Sequence, residues 1–303
     1  MKVVLTGIYY PVAILRYFEA AALRNPDIEV IRVGPHTSKW IPWSGGMELD
    51  NLPDSIKPPD IVLPMTSGAP IRYVEGLVNT PVDLWLQIDA GFHLVGKPQH
   101  GKNFIVGTDP HVLDYTESRR FADKFFCMQT PYMQVSDIHL PYAYDPVWHS
   151  VEPETLKIRD VGLIGIPYAD RVSAMRRFQN QSHSVMFTHG PCYDEARHLY
   201  NECRIGFNWS SLKDLTARVF EVMAMGLCPI VNRVPDLITM GFIEGRDYLG
   251  FDSLDEAVAK VSQALSTSTV EGTALWQAVA QNARAIVEQH AWDARIKEIL
   301  SYV

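Results

Sequence analysis

Several things are scarce in this chain of 303 residues, and each scarcity excludes a class of protein. No run of about 18 apolar residues occurs, the length a helix needs to cross a bilayer, so no stable membrane insertion is expected. The N-terminus, MKVVLTGIYYP, lacks a long apolar stretch ending in a small-residue cleavage site, which makes a cytoplasmic location the expectation. There are four cysteines, Cys127, Cys192, Cys203 and Cys228, and no CxxC pair. Zinc and disulfide frameworks are disfavoured, and buried free thiols are expected. The ten histidines show no HExxH or other ligand spacing, and His93, His111, His139, His149 and His189 are each weak signals. No two aspartates stand two positions apart, so the DxD arrangement that holds a divalent metal on a diphosphate is missing. Positive charge is also short: 27 Lys and Arg against 35 Asp and Glu leave a net charge of −8, with no global pull toward nucleic acid or anionic membrane.

What is present describes a soluble globular protein, with 47% hydrophobic and 20% charged residues. The length suits two domains of roughly 150 residues each. Short β-branched runs alternate with helical segments. The first half reads KVVLTG (2–7), a helix from about Pro11 to Arg24, EVIRVG (29–34), DIVLPM (60–65), DLWLQID (83–89), NFIVGT (103–108), a helix from about Pro110 to Phe121, and KFFCMQ (124–129). Continuous apolar strands separated by helices predict a parallel sheet covered on both faces. Between Gly34 and Lys57 runs a stretch rich in Trp, Gly and Pro with no clear period, which reads as a long functional loop. After IHLPYA (138–143), the proline-rich, charged YDPVWHSVEPETLKIR reads as an interdomain linker. The alternation then restarts with DVGLIG (160–165), a helix from about Tyr168 to Gln179, SVMFTHG (184–190), a helix from Cys192 to Cys203, RIGFNWS (204–210), a helix opening at Ala217, CPIVNR (228–233), DYLGFD (247–252), and helices from Ser253, Gly272 and Trp292 onward. The expected fold is α/β, with two Rossmann-like domains facing across a cleft: residues 1–150, residues 151–290, and a final helix over 291–303 that either crosses back to the first domain or caps its own.

Gly7 and Gly165 each end a first strand just before a helix, where backbone N–H groups can hold phosphate. Neither loop carries GxGxxG or GxxxxGK[ST], so a tight strand-to-helix turn explains them equally well. The stretch ARVFEVMAMGLCPIVNR (217–233) is more pointed. Glu221 sits among Val219, Phe220, Val222, Met223, Ala224 and Met225, on a helix apolar nearly all round. Two readings compete: a surface ion pair with Arg218, three residues earlier on the same face, or a buried acid that meets ligand hydroxyls at the carboxyl end of RIGFNWS.

These residues also carry a resemblance. DVGLIG, LYNECRIGFNWS, RVFEVMAMG, VPDLITMGFIEGRDYLGFDSLDEAVAKV and QHAWDARIKEIL together resemble the second domain of GT-B glycosyltransferases. The likeness is greatest to the spore-maturation-protein (CgeB)-like group related to glycosyltransferase family four. WLQID, KFFCMQTPY and LPYAYDP resemble, more faintly, that group's acceptor-side domain. The resemblance implies a glycosyltransferase, hexosyltransferase-like, that uses a nucleotide-sugar donor with no further cofactor, needs no metal, and retains anomeric configuration. It implies that Glu221 accepts hydrogen bonds from the donor ribose and that Arg171 faces the diphosphate. The family's upstream glutamate, eight residues before, is here Lys213. That departure leaves sugar recognition open and makes Lys213 or Arg218 a candidate phosphate partner. Asp89 and His93, in IDAGFH, are candidates to touch sugar or acceptor, with a strand-end cap and a packed imidazole as the structural alternatives. The acceptor class (glycan, lipid, protein, small molecule or modified DNA) is not legible. A sugar-nucleotide epimerase and a non-catalytic nucleotide-sugar or glycan binder are the alternative activities.

Overall fold

The computed structural model describes residues 1–40, 45–64, 81–88, 98–108, 114–210, 212, 214–269 and 272–303. The chain divides into two compact units: Met1–Pro141 with Trp292–Val303, and Tyr142–Ala291.

The first unit is built on β1 (Lys2–Thr6), α1 (Ile14–Leu23), β2 (Glu29–Gly34), β3 (Ile61–Val62), β4 (Leu84–Ile88), β5 (Lys102–Gly107), α2 (Thr116–Phe121), β6 (Lys124–Cys127) and β7 (Ile138–His139). The seven strands form one parallel sheet in the order β3-β2-β1-β4-β5-β6-β7. All five residues of β4 are buried, as a doubly covered parallel sheet requires, and its one polar side chain, Gln87, bonds Asn103 of β5. Strand order reverses between β1 and β4, and Gly7 follows β1 at that point. A Cβ on Gly7 would lie 2.8 Å from the Ile88 carbonyl oxygen, so glycine is needed there for packing alone. In the stretch after Gly34, the described residues form no long element. An isolated bridge joins Lys39 to Glu48.

The second unit contains β8 (Arg159–Ile164), α3 (Ala169–Asn180), β9 (Val185–Thr188), α4 (Tyr193–Asn201), β10 (Cys203–Asn208), α5 (Ala217–Ala224), β11 (Cys228–Asn232), α6 (Pro235–Thr239), β12 (Leu249–Phe251), α7 (Leu254–Ser266) and α8 (Leu275–Val287). Its parallel sheet runs β12-β11-β10-β8-β9, so the chain reverses direction across the sheet between β8 and β10. In open α/β sheets, ligands bind at such a point, beyond the carboxyl ends of the strands. Phe178, Phe207 and Phe251 lie at the centre of its core, with Phe207 and Phe251 stacked at 5.3 Å. Helix α5 ends in a Schellman turn, Leu227 N–H to Val222 C=O and Gly226 N–H to Met223 C=O, with Gly226 at φ 72°.

The stretch read as a linker, Tyr144 to Ile158, is instead packed structure of this unit. Asp145 is buried and its Oδ1 accepts from the N–H groups of Val147 and Trp148, so the turn satisfies its own backbone. Asn201 bonds Ser150 and Glu152, and Trp148 packs on the Tyr193 ring at 4.7 Å. Proline and charge describe the surface of this turn, not its freedom.

The last helix, α9 (Trp292–Leu300), belongs to the first unit. Trp292 is fully buried, stacked parallel to Tyr17 at 6.2 Å and tilted against Phe18 at 4.9 Å. Asp293 receives a bidentate bond from Arg24, and Arg295 Nε donates to the Pro141 carbonyl. Among the described residues, no helix is long and apolar enough to cross a membrane.

Candidate functional site

The site is assembled at the carboxyl ends of β8 and β10. Gly165 follows β8 and donates its N–H to the Thr188 carbonyl. Its missing side chain is what the site requires: a Cβ there would stand 2.7 Å from Arg218 Nη2 and 3.2 Å from Arg171 Nη1. Two guanidinium nitrogens therefore converge within 3.2 Å of one point.

Their own partners leave them cationic and uncompensated. Arg171, in the first turn of α3, donates Nε to the Trp209 carbonyl at 2.9 Å and Nη1 to the Ile166 carbonyl at 3.2 Å, and lies over the Tyr168 ring. Arg218, in the first turn of α5, donates Nη1 to Asn208 Oδ1 at 3.1 Å. Among the described residues, neither makes an ion pair with a carboxylate. The contrast with Arg16 and Arg295, buried as Arg171 is, is direct, since those pair with Glu19 and Glu298. Burial, together with the charge of Arg218, pulls the Arg171 guanidinium down to about 10. A cation so placed gains when an anion arrives, because burial weakens its hydration and strengthens its Coulomb attraction.

Glu221 lies one turn further along α5, with its side chain 18% exposed and flanked by the buried Phe220 and Val222. It does not pair with Arg218. Burial raises its carboxyl to about 7, and the Arg218 charge only partly opposes this. Its near neighbour is His149, whose Nε2 stands 3.7 Å from Glu221 Oε1. His149 Nδ1 accepts from the Asp145 N–H at 2.9 Å, which fixes the ring proton on Nε2, facing the carboxyl group. Burial and the charge of Arg197 push His149 down to about 3, so at neutral pH this is a neutral imidazole beside an acid, not an ion pair.

The loop leading into α5 is tied down by polar groups. The Ser210 N–H donates to Asn232 Oδ1 at 2.7 Å, Ser210 Oγ bonds Asp214 Oδ1, and the Asp214 N–H returns to Ser210 Oγ at 3.2 Å. Ser210 and Asp214 thus order the loop rather than cap the helix, whose N-cap is Thr216.

Of the residues singled out in the sequence, Gly165, Arg171, Arg218 and Glu221 come together here. Gly7 lies in the first unit. Lys213, Asp89 and His93 lie outside the described residues. Asn208 and His149 went unnoticed as site members. Asn208 had one signal, a polar residue closing the apolar run RIGF, whereas His149 had none to separate it from the other histidines. Among the described residues, no group of three His, Cys, Asp or Glu side chains is placed to hold a metal ion.

Comparison with known proteins bears on the family and the fold. Residues 158–301, which include most of the second unit, match the Glycosyl transferase-like family. No curated protein matches the chain. Among solved structures, sucrose-phosphate synthase from Thermosynechococcus elongatus is similar at TM-score 0.58 and 12% identity, over 99% of this chain and 98% of that one. An α-glucosyltransferase in complex with UDP-glucose and DNA containing an abasic site is similar at TM-score 0.57 and 11% identity, over 100% and 99%. Anabaena HepE in complex with UDP is similar at TM-score 0.54 and 13% identity, over 73% and 79%. The fold is GT-B, and the family match and the structural neighbours together support a glycosyltransferase.

Proposed function

We propose that this protein transfers a sugar from a nucleoside diphosphate sugar to an acceptor, with the second unit holding the donor. The observation that carries the reading is the pair of converging guanidinium groups without carboxylate partners at the end of β8. A diphosphate is the ligand that two adjacent cations, one buried and one partly buried, and a glycine-opened turn suit best. Glu221, one turn along α5, then accepts hydrogen bonds from ribose hydroxyls.

The chemistry follows from the charges. As the bond between the anomeric carbon and the diphosphate oxygen breaks, negative charge grows on the leaving group, and Arg171 and Arg218 stabilise that charge more than the ground state. This supplies the electrophilic help that a divalent ion gives elsewhere, so we propose metal-independent transfer with no cofactor beyond the donor. Retention of configuration, with the leaving phosphate oxygen taking the acceptor proton, follows from the family resemblance. Asp89, His93 and Lys213 stay candidates on sequence grounds. The acceptor is open among glycan, lipid, protein, small molecule and modified DNA.

The test is incubation with a donor panel beginning with UDP-glucose, because HepE was solved with UDP and the α-glucosyltransferase with UDP-glucose. Release of free nucleoside diphosphate with a glycosylated or hydrolysed product supports transfer. An isomerised donor would point to an epimerase, and binding without turnover to a non-catalytic binder, an outcome that Lys213 in place of the family's glutamate keeps in play.

A further inference from the structure

Asn208 closes β10 at the point where the sheet reverses, and its side chain is buried with 1% exposure. Continuing the β10–β8 register from Gly206↔Gly162 sets it opposite Ile164, next to Gly165. Its Oδ1 accepts two bonds, from Thr216 Oγ1 and Arg218 Nη1, each at 3.1 Å. The amide orientation is fixed by this: a guanidinium only donates, so the atom facing Arg218 has to be the oxygen. Nδ2 is then left buried with no hydrogen-bond partner. Unpaired buried N–H groups are rare in folded proteins, and one beside a cationic ligand site calls for an explanation. Asp at this position would keep an oxygen for Arg218 and Thr216 without leaving a donor over.

Resting on the donor reading above, we propose that Asn208 contacts the donor: its Nδ2–H donates to a diphosphate oxygen seated against Arg218, while its Oδ1 holds that arginine in place. One amide thereby serves both sides of the contact. The oxygen aims the cation and the nitrogen adds a neutral donor from the strand end. The N–H2 suits an acceptor-rich group, the chemistry of phosphate, and is misplaced against a ligand that presents only donors there.

The experiment measures binding of UDP, GDP and ADP by calorimetry to the full chain. The tightest of them, and its parent nucleoside, are then titrated against Arg218→Ala, Asn208→Asp and Asn208→Ser. Asn208→Asp keeps an oxygen for Arg218 but turns the N–H2 into an acceptor facing the diphosphate. The expected result is a 10- to 100-fold loss of diphosphate affinity with nucleoside affinity within twofold of wild type. Asn208→Ser, too short to reach the diphosphate, is expected to lose five- to tenfold with the same selectivity, and it serves if the aspartate variant does not fold. Equal losses for both ligands would mean a purely structural asparagine, and unchanged affinity in a folded variant would overturn the proposal outright. The two readings separate cleanly. If wild type binds a diphosphate and Arg218→Ala loses it, the donor reading stands whatever Asn208 does; if wild type binds none of the three, both fall.

Discussion

Replacing Glu221 with glutamine should remove a pH dependence that the site otherwise imposes on nucleotide binding. In the free protein burial raises this carboxyl to about 7. In the proposed role, ribose hydroxyls donate to the charged form, so binding should draw the group toward ionisation and lower its pKa in the complex. The sign follows. Below pH 7 the protein must give up a proton to bind, at a cost of about 1.4 kcal/mol per pH unit. From pH 8 to pH 6 the ionised fraction of the free protein falls from about nine-tenths to about one-tenth, so affinity should drop about tenfold. His149, held down at about 3, stays neutral throughout and adds no slope. The assay is calorimetric titration of wild type and Glu221→Gln with the same nucleoside diphosphate from pH 6 to 8. The ligand's own phosphate ionisation, near pH 6, is common to both proteins and cancels in the ratio. At pH 8 the variant should bind more weakly by about 1.5–3 kcal/mol, the worth of charge-assisted hydrogen bonds. At pH 6 most of that gap should close. Stability should move oppositely in the absence of ligand: the raised carboxyl destabilises the folded state as pH climbs from about 4.5 to 7, and glutamine should abolish that decline. Parallel pH curves for the two proteins would refute the reasoning, because the titrating group would then lie elsewhere.

Gly165→Ala places a methyl 2.7 Å from Arg218 Nη2, and since the neighbours are flexible side-chain ends, the fold should survive while diphosphate affinity falls about tenfold; thermal unfolding and titration together check this, and undiminished affinity counts against the convergence of cations as the binding element. Turnover should persist within about twofold in EDTA, because arginines neutralise the leaving group; abolition by EDTA with recovery on adding manganese would show that a metal shares that role. Trp292→Ala removes a fully buried indole packed on Tyr17 and Phe18, and should cost about 3–5 kcal/mol in denaturant unfolding of the first unit; a loss below 1 kcal/mol would mean that the helix docks weakly.

The alternation of strands and helices was legible because the strands are short, mostly apolar runs, and the twelve strands among the described residues lie where such runs occur. Helix α6 was missed, since five residues beginning at Pro235 are too few to show a period. The Tyr144–Ile158 turn was misread for a different reason. Its order comes from Asp145 and Asn201 bonding backbone groups, and such bonds leave no periodic trace. In the site, Glu221 stood out as an acid on an apolar helix, but its partner did not. The i, i+3 spacing suggested Arg218, whereas that guanidinium turns to Asn208 across the sheet end, a contact between residues ten positions apart that only the fold creates.

The first unit is discontinuous in sequence: Tyr17 and Phe18 receive their covering indole only from Trp292, after the whole second unit has been traversed. Proteins made from the N-terminus usually complete their domains in the order of synthesis. Here that order is inverted. The second unit, contiguous from Tyr142 to Ala291, has all its residues before the first has its last helix. A chain made only as far as residue 291 and released therefore holds every residue of the second unit, while Tyr17 and Phe18 of the first still lack their covering indole, the stage at which a chaperone has most to hold.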